Sequence, residues 1–114
     1  MSLGIYIPKT DPLSCSETER VVYQVPKTTA VADASLKILF EKHLSFYGKY
    51  KSVSIVNGVA KVMLESDMDS TGHYLIFATG CQRQSLFEPV KDTLLQYPSI
   101  KSVEFHYPKG KIEF

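Results

Sequence analysis

The order of elements along the chain predicts a two-layer α+β sandwich, with two helices packed on one face of a largely antiparallel β-sheet. Three observations carry this prediction. Short runs with period-two alternation recur from end to end, two stretches switch to helical period, and an Asn57-Gly58 pair stands between two alternating runs. Strands with one apolar face and helices with one apolar stripe bury both most simply by stacking layer on layer.

The elements follow in order. Residues 4–8, "GIYIP", read as a short strand ended by Pro8, and residues 9–19 form a polar loop. "RVVYQVP" alternates, with Val21, Tyr23 and Val25 on one face and Pro26 as the stop. "KTTAVADASLKILFEKHL" changes period, so that Ala32, Leu36, Leu39 and Phe40 share a helical face with His43 beside them. Thr28 or Thr29 is placed to cap it, and Asp33 lies early, where the helix dipole favours an acid. Gly48 breaks the chain before the next strand.

"SVSIVNGVAKVMLE" predicts a hairpin. Asn-Gly suits a two-residue turn because both turn positions need positive φ. That loop pairs Val56 with Val59, Ile55 with Ala60 and Val53 with Val62. Val53, Ile55, Ala60, Val62 and Leu64 then share one face, while Ser54 and Lys61 take the other. The run Tyr74–Ala78 reads equally as a short strand or a buried loop. In "GCQRQSLFEPVKDTLLQYP", Ser85 and Glu88 have capping-box spacing, and Leu86, Val90, Leu94 and Tyr97 form a stripe. Pro89 is acceptable in a first turn but would kink a helix that began at Cys81, so the residues leave the start of this helix open. "IKSVEFHYP" puts Val103, Phe105 and Tyr107 inward and Ser102, Glu104 and His106 outward, and "PKGK" turns into a last strand, "KIEF".

Length and composition bound the function. A chain of 114 residues supports one domain with its own core. Met1–Leu3 reads as a remnant of expression and 4–114 as the domain. The opening residues have no charged n-region or apolar h-region, and an upstream export or anchoring segment is expected to have been removed. The hydrophobic share is 44% and the net charge +1, which supplies no strong field toward nucleic acid or anionic membrane. No apolar run approaches the ~20 residues of a membrane-spanning helix.

Several constellations could carry chemistry, and each has a plainer reading. Cys81 could be a nucleophile with His73 as base and Asp67 or Asp69 orienting it. It could equally be a buried structural cysteine or half of a disulfide, because Cys15 and Cys81 form an even pair with no CxxC spacing. "DPLSC" lacks the apolar stretch that precedes a lipoprotein cleavage site. Glu88 and Asp92 lie four apart, suited to acid–base work if buried together but more simply a solvated face. Glu65, Asp67 and Asp69 hint at a calcium loop without its glycine or closing glutamate, and no metal or cofactor is expected. "FYGKYK" interleaves Phe46, Tyr47 and Tyr50 with Lys49 and Lys51, a pattern that suits a nucleic-acid single strand, a glycan, a small ligand or a partner surface, though with a net charge of only +1 nucleic acid is not expected. More plainly, Phe46 and Tyr47 plug the core edge while the lysines solvate the loop.

The ordered series of motifs resembles the GerMN family of sporulation and spore-germination domains. Tyr6–Pro8 and Arg20–Val25 resemble its opening strands, "VPKTTAVADASL" the approach to its first helix, and "VSIVNGVAKVML" its hairpin. "TLLQYPSIKSVEF" resembles its most recognisable stretch, here Thr93, Leu94, Tyr97, Pro98, Ile100 and Val103. The resemblance covers residues 4 to about 110, with Pro89 and the longer, more aromatic "HYPKGKIEF" as departures. It implies a fold like the ring-building domains of secretion and sporulation complexes, and an extracytoplasmic place that is secreted, periplasmic or anchored on the outer face, often on lipoproteins. It implies no catalytic motif. Some members carry cysteines where Cys15 and Cys81 stand, which implies a disulfide between them and leaves Glu88 and Asp92 on the wet side of the helix. The leading expectation is a non-enzymatic bacterial cell-envelope domain working through protein contacts or self-association. The alternative is a module for a small ligand or cell-wall glycan such as peptidoglycan, and a Cys-dependent enzyme is the third. Membrane attachment would come only through a removed N-terminal anchor.

Overall fold

The computed structural model describes residues 1–9, 17–77 and 80–113. Strands β1 (Ser2–Pro8) and β2 (Thr18–Gln24) are followed by helix α1 (Val31–Lys42), strands β3 (Tyr50–Val56) and β4 (Val59–Leu64), helix α2 (Cys81–Leu95), and strands β5 (Ser102–Tyr107) and β6 (Gly110–Ile112). Single 3-10 turns occupy Ser45–Tyr47 and Leu75–Phe77. The α+β layering is as expected, and both helices pack on β1 while α1 also meets β3 and α2 meets β5.

The strands divide into two sheets rather than one. Among the described residues β1 and β2 pair only with each other, and the second sheet runs β3-β4-β5-β6. Within it β4 and β5 are parallel, with α2 in the crossover between them, and the other pairs are antiparallel. A parallel neighbour requires such a crossover, because a tight turn cannot return the chain to the same end.

Met1–Leu3, expected to lie outside the domain, take part in it. Met1 and Val25 exchange backbone hydrogen bonds at 2.6 and 2.8 Å, Ser2 and Leu3 pair with Gln24 and Tyr23, and Leu3 is buried. The hairpin β3–β4 has the predicted register throughout its turn end, with Val56 opposite Val59, Ile55 opposite Ala60 and Val53 opposite Val62. Asn57 and Gly58 take the positive φ values, 51° and 80°, that the turn demands. Further along, a bulge between Tyr50 and Ser52 leaves Lys51 as the extra residue and sets Tyr50 opposite Leu64. One added residue inverts the alternation, so Tyr50 joins the core edge and Lys51 faces water.

Helix α1 buries the predicted stripe Ala32, Leu36, Leu39 and Phe40, together with Ser35. Neither threonine caps it. Ala30 holds the cap position, and the Thr28 hydroxyl accepts a hydrogen bond from the Ala30 N–H at 3.1 Å. Helix α2 departs from the capping-box expectation. It begins at Cys81 after Gly80, whose φ of 57° suits glycine, so Ser85 and Glu88 lie inside the helix and form no capping box. Pro89 sits in the helix interior, buried, and forfeits the backbone bond it would have donated to the Ser85 carbonyl.

The core joins every layer. Ile5, Leu36, Leu39, Val62, Leu64, Val90, Leu94 and Phe105 are buried in one cluster, each such side chain contributing about 1.5–3 kcal/mol by leaving water. Polar ties then fix the small sheet to α2. The Tyr6 N–H donates to Thr93 Oγ1 at 2.9 Å, Gln96 Nε2 donates to the Gly4 carbonyl at 2.7 Å, and Thr18 Oγ1 donates to Asp92 Oδ2 at 2.7 Å. Asp92 is therefore half-buried and engaged rather than part of a solvated face.

Candidate functional site

Two surfaces gather chemistry-bearing side chains, both built around the chain reversal after α1. The first is the segment between β4 and α2. Its backbone is tied down by bonds that include Glu65 N–H to the Lys49 carbonyl at 2.9 Å, Ser70 N–H to Phe46 at 2.8 Å, Leu75 N–H to Asp67 at 2.8 Å, and Asp69 N–H to His73 at 2.8 Å. Asp69 Oδ1 accepts from the Thr71 N–H, the Thr71 hydroxyl and the His73 N–H, and the Thr71 hydroxyl bonds lower its carboxyl below the usual range. Met68 and Tyr74 form a single bridge, so the apolar run expected as a strand or buried loop is a bridge followed by a 3-10 turn.

Bridge and turn together bury one side chain and leave three outside. Leu75 is buried, while Tyr74, Ile76 and Phe77 are exposed, Phe77 by 72%. Tyr74 and Phe77 meet edge to face at 6.0 Å. Across the Ser70–Phe46 bond, Phe46 is exposed too and packs edge-on against Tyr47 at 5.2 Å. An apolar surface held on a braced backbone suits a partner's apolar surface.

The second surface is a groove of about 450 Å³ between α1 and β3, lined by Lys37, Phe40, Glu41, Lys49, Tyr50 and Glu65 among others. Phe40 and Tyr50 stack at 5.7 Å with 21° between their planes. The Tyr50 hydroxyl donates to Asp33 Oδ1 at 2.6 Å, and Asp33 also pairs with Lys37 at 3.2 Å. Burial, then the neighbouring Asp33, pushes the Tyr50 phenol up, and the same hydrogen bond holds the Asp33 carboxyl down.

The structure divides the predicted cluster of Phe46, Tyr47, Lys49, Tyr50 and Lys51. Phe46 belongs to the loop surface and Lys49 and Tyr50 to the groove, while Lys51 stands exposed on the bulge. Tyr47 is half-buried; burial raises its phenol, against a hydrogen bond with Ser85. His73 Nδ1 shares a 2.6 Å hydrogen bond with the Thr71 hydroxyl. Cys15 lies outside the described residues; Cys81 opens α2, and no cysteine is free among the described residues. Among those residues no group of His, Cys, Asp and Glu could hold a metal ion, and no helix is long and apolar enough to cross a membrane. The sequence reading missed Ile76 and Phe77 as surface residues, because an apolar run with no alternation points inward by default.

No family model matches the chain, and no curated protein matches it. Among solved structures, the first GerMN domain of the sporulation protein GerM from Bacillus subtilis superposes with a TM-score of 0.68. The match covers 98% of this chain and 86% of that one, at 14% identity. This chain has a GerMN-like fold. At that identity the likeness lies in the path of the backbone, and the two surfaces described above stand on this chain's own residues.

Proposed function

We propose that this GerMN-like domain is a non-enzymatic, extracytoplasmic part of the bacterial cell envelope, of the sporulation or germination type, that works through protein contacts. The observation that carries the reading is the exposed group Tyr74, Ile76 and Phe77, on a segment whose Ser70 N–H is bonded to the carbonyl of exposed Phe46, set on a fold like that of a sporulation protein's domain. Apolar side chains presented together on a braced loop are suited to be covered by a partner. The extracytoplasmic part of the reading includes a Cys15–Cys81 disulfide, which an oxidising compartment would maintain.

The test replaces Phe77 with a photo-crosslinking amino acid in a chain displayed on the outer face of the cell. A discrete protein adduct at Phe77, absent when the same probe replaces exposed Glu19, is expected; equal labelling at both positions, or none, would overturn the contact reading. For the compartment, the exported chain is denatured and alkylated without reductant. No added label is expected, and two labels would remove the disulfide.

The groove favours a second reading, a small-ligand or peptidoglycan-binding module. Its stacked Phe40 and Tyr50, with ammonium and carboxylate groups around them, match a ligand carrying an apolar face and both charges. Titration with soluble muropeptides would show binding that Lys49→Glu weakens; no binding at millimolar ligand would dispose of it.

A further inference from the structure

Strand β3 ends the larger sheet, with β4 as its one strand neighbour among the described residues. In a two-residue hairpin the closing pair is hydrogen-bonded, and bonded and non-bonded pairs then alternate. Val56, Ser54 and Ser52 therefore turn their backbone groups toward β4, while Val53 and Ile55 turn theirs outward. None of the described backbone hydrogen bonds outside the ladders uses Val53 or Ile55. The usual guards, a lysine and a bulge, stand together at Lys51, and the stretch Ser52–Val56 beyond them carries no charge and no proline. Ile55 belongs to the inward face, opposite buried Ala60, yet is 43% exposed. Beside it runs a groove of about 260 Å³ lined by Val31, Ala32, Val53, Ile55, Tyr97 and Ile100 among others.

We infer that the occupant of this edge is a second copy of the chain, whose β3 pairs antiparallel with the first about a two-fold axis through Ser54. The inference rests on the protein-contact reading above and names a surface for it. The strand is self-complementary in this register. Ser54 meets Ser54 of the second copy in a non-bonded pair, and Val53 meets Ile55 on either side in hydrogen-bonded pairs. The bonded pairs are those whose backbone groups face outward, so pairing satisfies them. The β-branched pairs lie on the inward face, where the second copy's Val53 and Ile55 extend the apolar wall of the groove. Ser52 meets Val56 on the outer face, and no like charges face one another along the paired stretch. The bulge at Lys51 ends the pairing.

Disulfide trapping tests the register. Partners in a non-bonded pair lie about 4.5 Å apart at Cα, inside the roughly 4.4–6.8 Å that a disulfide spans. Ser54→Cys should therefore yield a covalent dimer under mild oxidant. Ser52→Cys should not, since its two copies would stand four residues, or about 13 Å, apart along the strands. Sedimentation velocity across a concentration series should show reversible dimers of the unmodified chain, and Ile55→Lys should weaken them at least about tenfold by burying an unpaired charge at the seam. Equal trapping at positions 52 and 54, no trapping at 54, or a chain monomeric at high concentration would overturn the inference. Those results leave the contact reading standing if the Phe77 adduct persists, and loss of that adduct removes the contact reading by itself.

Discussion

β1 and β3 are both strands with a single strand neighbour, and their outer edges are treated in opposite ways. The edge of β1 is closed by side chains at the C-terminal end of α2 and its cap. Thr93 takes the Tyr6 N–H, and Gln96 takes the Gly4 carbonyl. Helix α2 thus does for β1 what a third strand would do. A two-stranded sheet is marginal alone in water, and here it is secured by Ile5 in the core and by these bonds at its rim. Among the described residues, the edge of β3 has no such closure at Val53 and Ile55. The difference shows that an edge can be sealed without another strand, and that the open one is the place where a strand can still be added.

The comparison can be broken most directly by the same substitution on each strand. Ile5→Ala on β1 empties a fully buried site and should cost about 2–5 kcal/mol. Ile55→Ala on β3 should cost under ~1 kcal/mol in the monomer, both read from urea midpoints at low concentration. Similar losses at the two sites would mean that β3 is not the open edge. Next in size is Thr93→Val. It keeps the buried shape but removes the partner of the Tyr6 N–H, and a loss of about 1–3 kcal/mol is expected from the orphaned donor. Hydrogen exchange at Tyr6 should quicken in that variant, while the amides of β4 keep their relative protection; unchanged exchange would show that the bond does not seal the edge.

The smallest effect concerns the other tie between the first hairpin and the helices. Tyr23 on β2 and His43 at the end of α1 share a 2.7 Å hydrogen bond. Burial, then the charge of Lys42, holds the His43 imidazole below its ordinary value of 6.5. The unfolded chain therefore binds the proton at a higher pH than the folded one. The contribution of neutral His43 is present above about 6.5 and is lost as pH falls from there through the lower folded value. Stability should decline in that window in the parent chain and decline less in His43→Gln. An equal decline in both would assign it to other groups.

Legibility followed how local the cause was. The β3–β4 register could be read because Asn57-Gly58 fixes the loop length and the apolar pattern admits one pairing. The bulge could not, since "KYKS" carries no sign that Tyr50 rather than Lys51 turns inward; burial against Phe40 and the bond to Asp33 decide it. The α2 stripe was legible from Leu86, Val90 and Leu94, but its start was not, because the penalty for Pro89 is offset by packing that only the assembled fold provides. The division into two sheets and the parallel β4–β5 pair also depend on distant neighbours. At the candidate surfaces the aromatic residues were visible in "FYGKYK", and their separation into a loop surface and a groove was not.

The bulge at Lys51 has a consequence for how the strand tolerates length changes. Deleting a residue within a strand ordinarily throws every later side chain to the wrong face. Here Tyr50 already stands opposite Leu64 and Ser52 opposite Met63. Removing Lys51 would make those two rungs consecutive and leave each side chain on the face it now occupies. The chain shortened by that one residue should fold with its aromatic wall intact, whereas the loss of Ser54 should unfold it, a contrast that near-ultraviolet circular dichroism of the two deletions would read. Position 51 is thus the point along β3 where this domain can change length without changing its mind about which side is in.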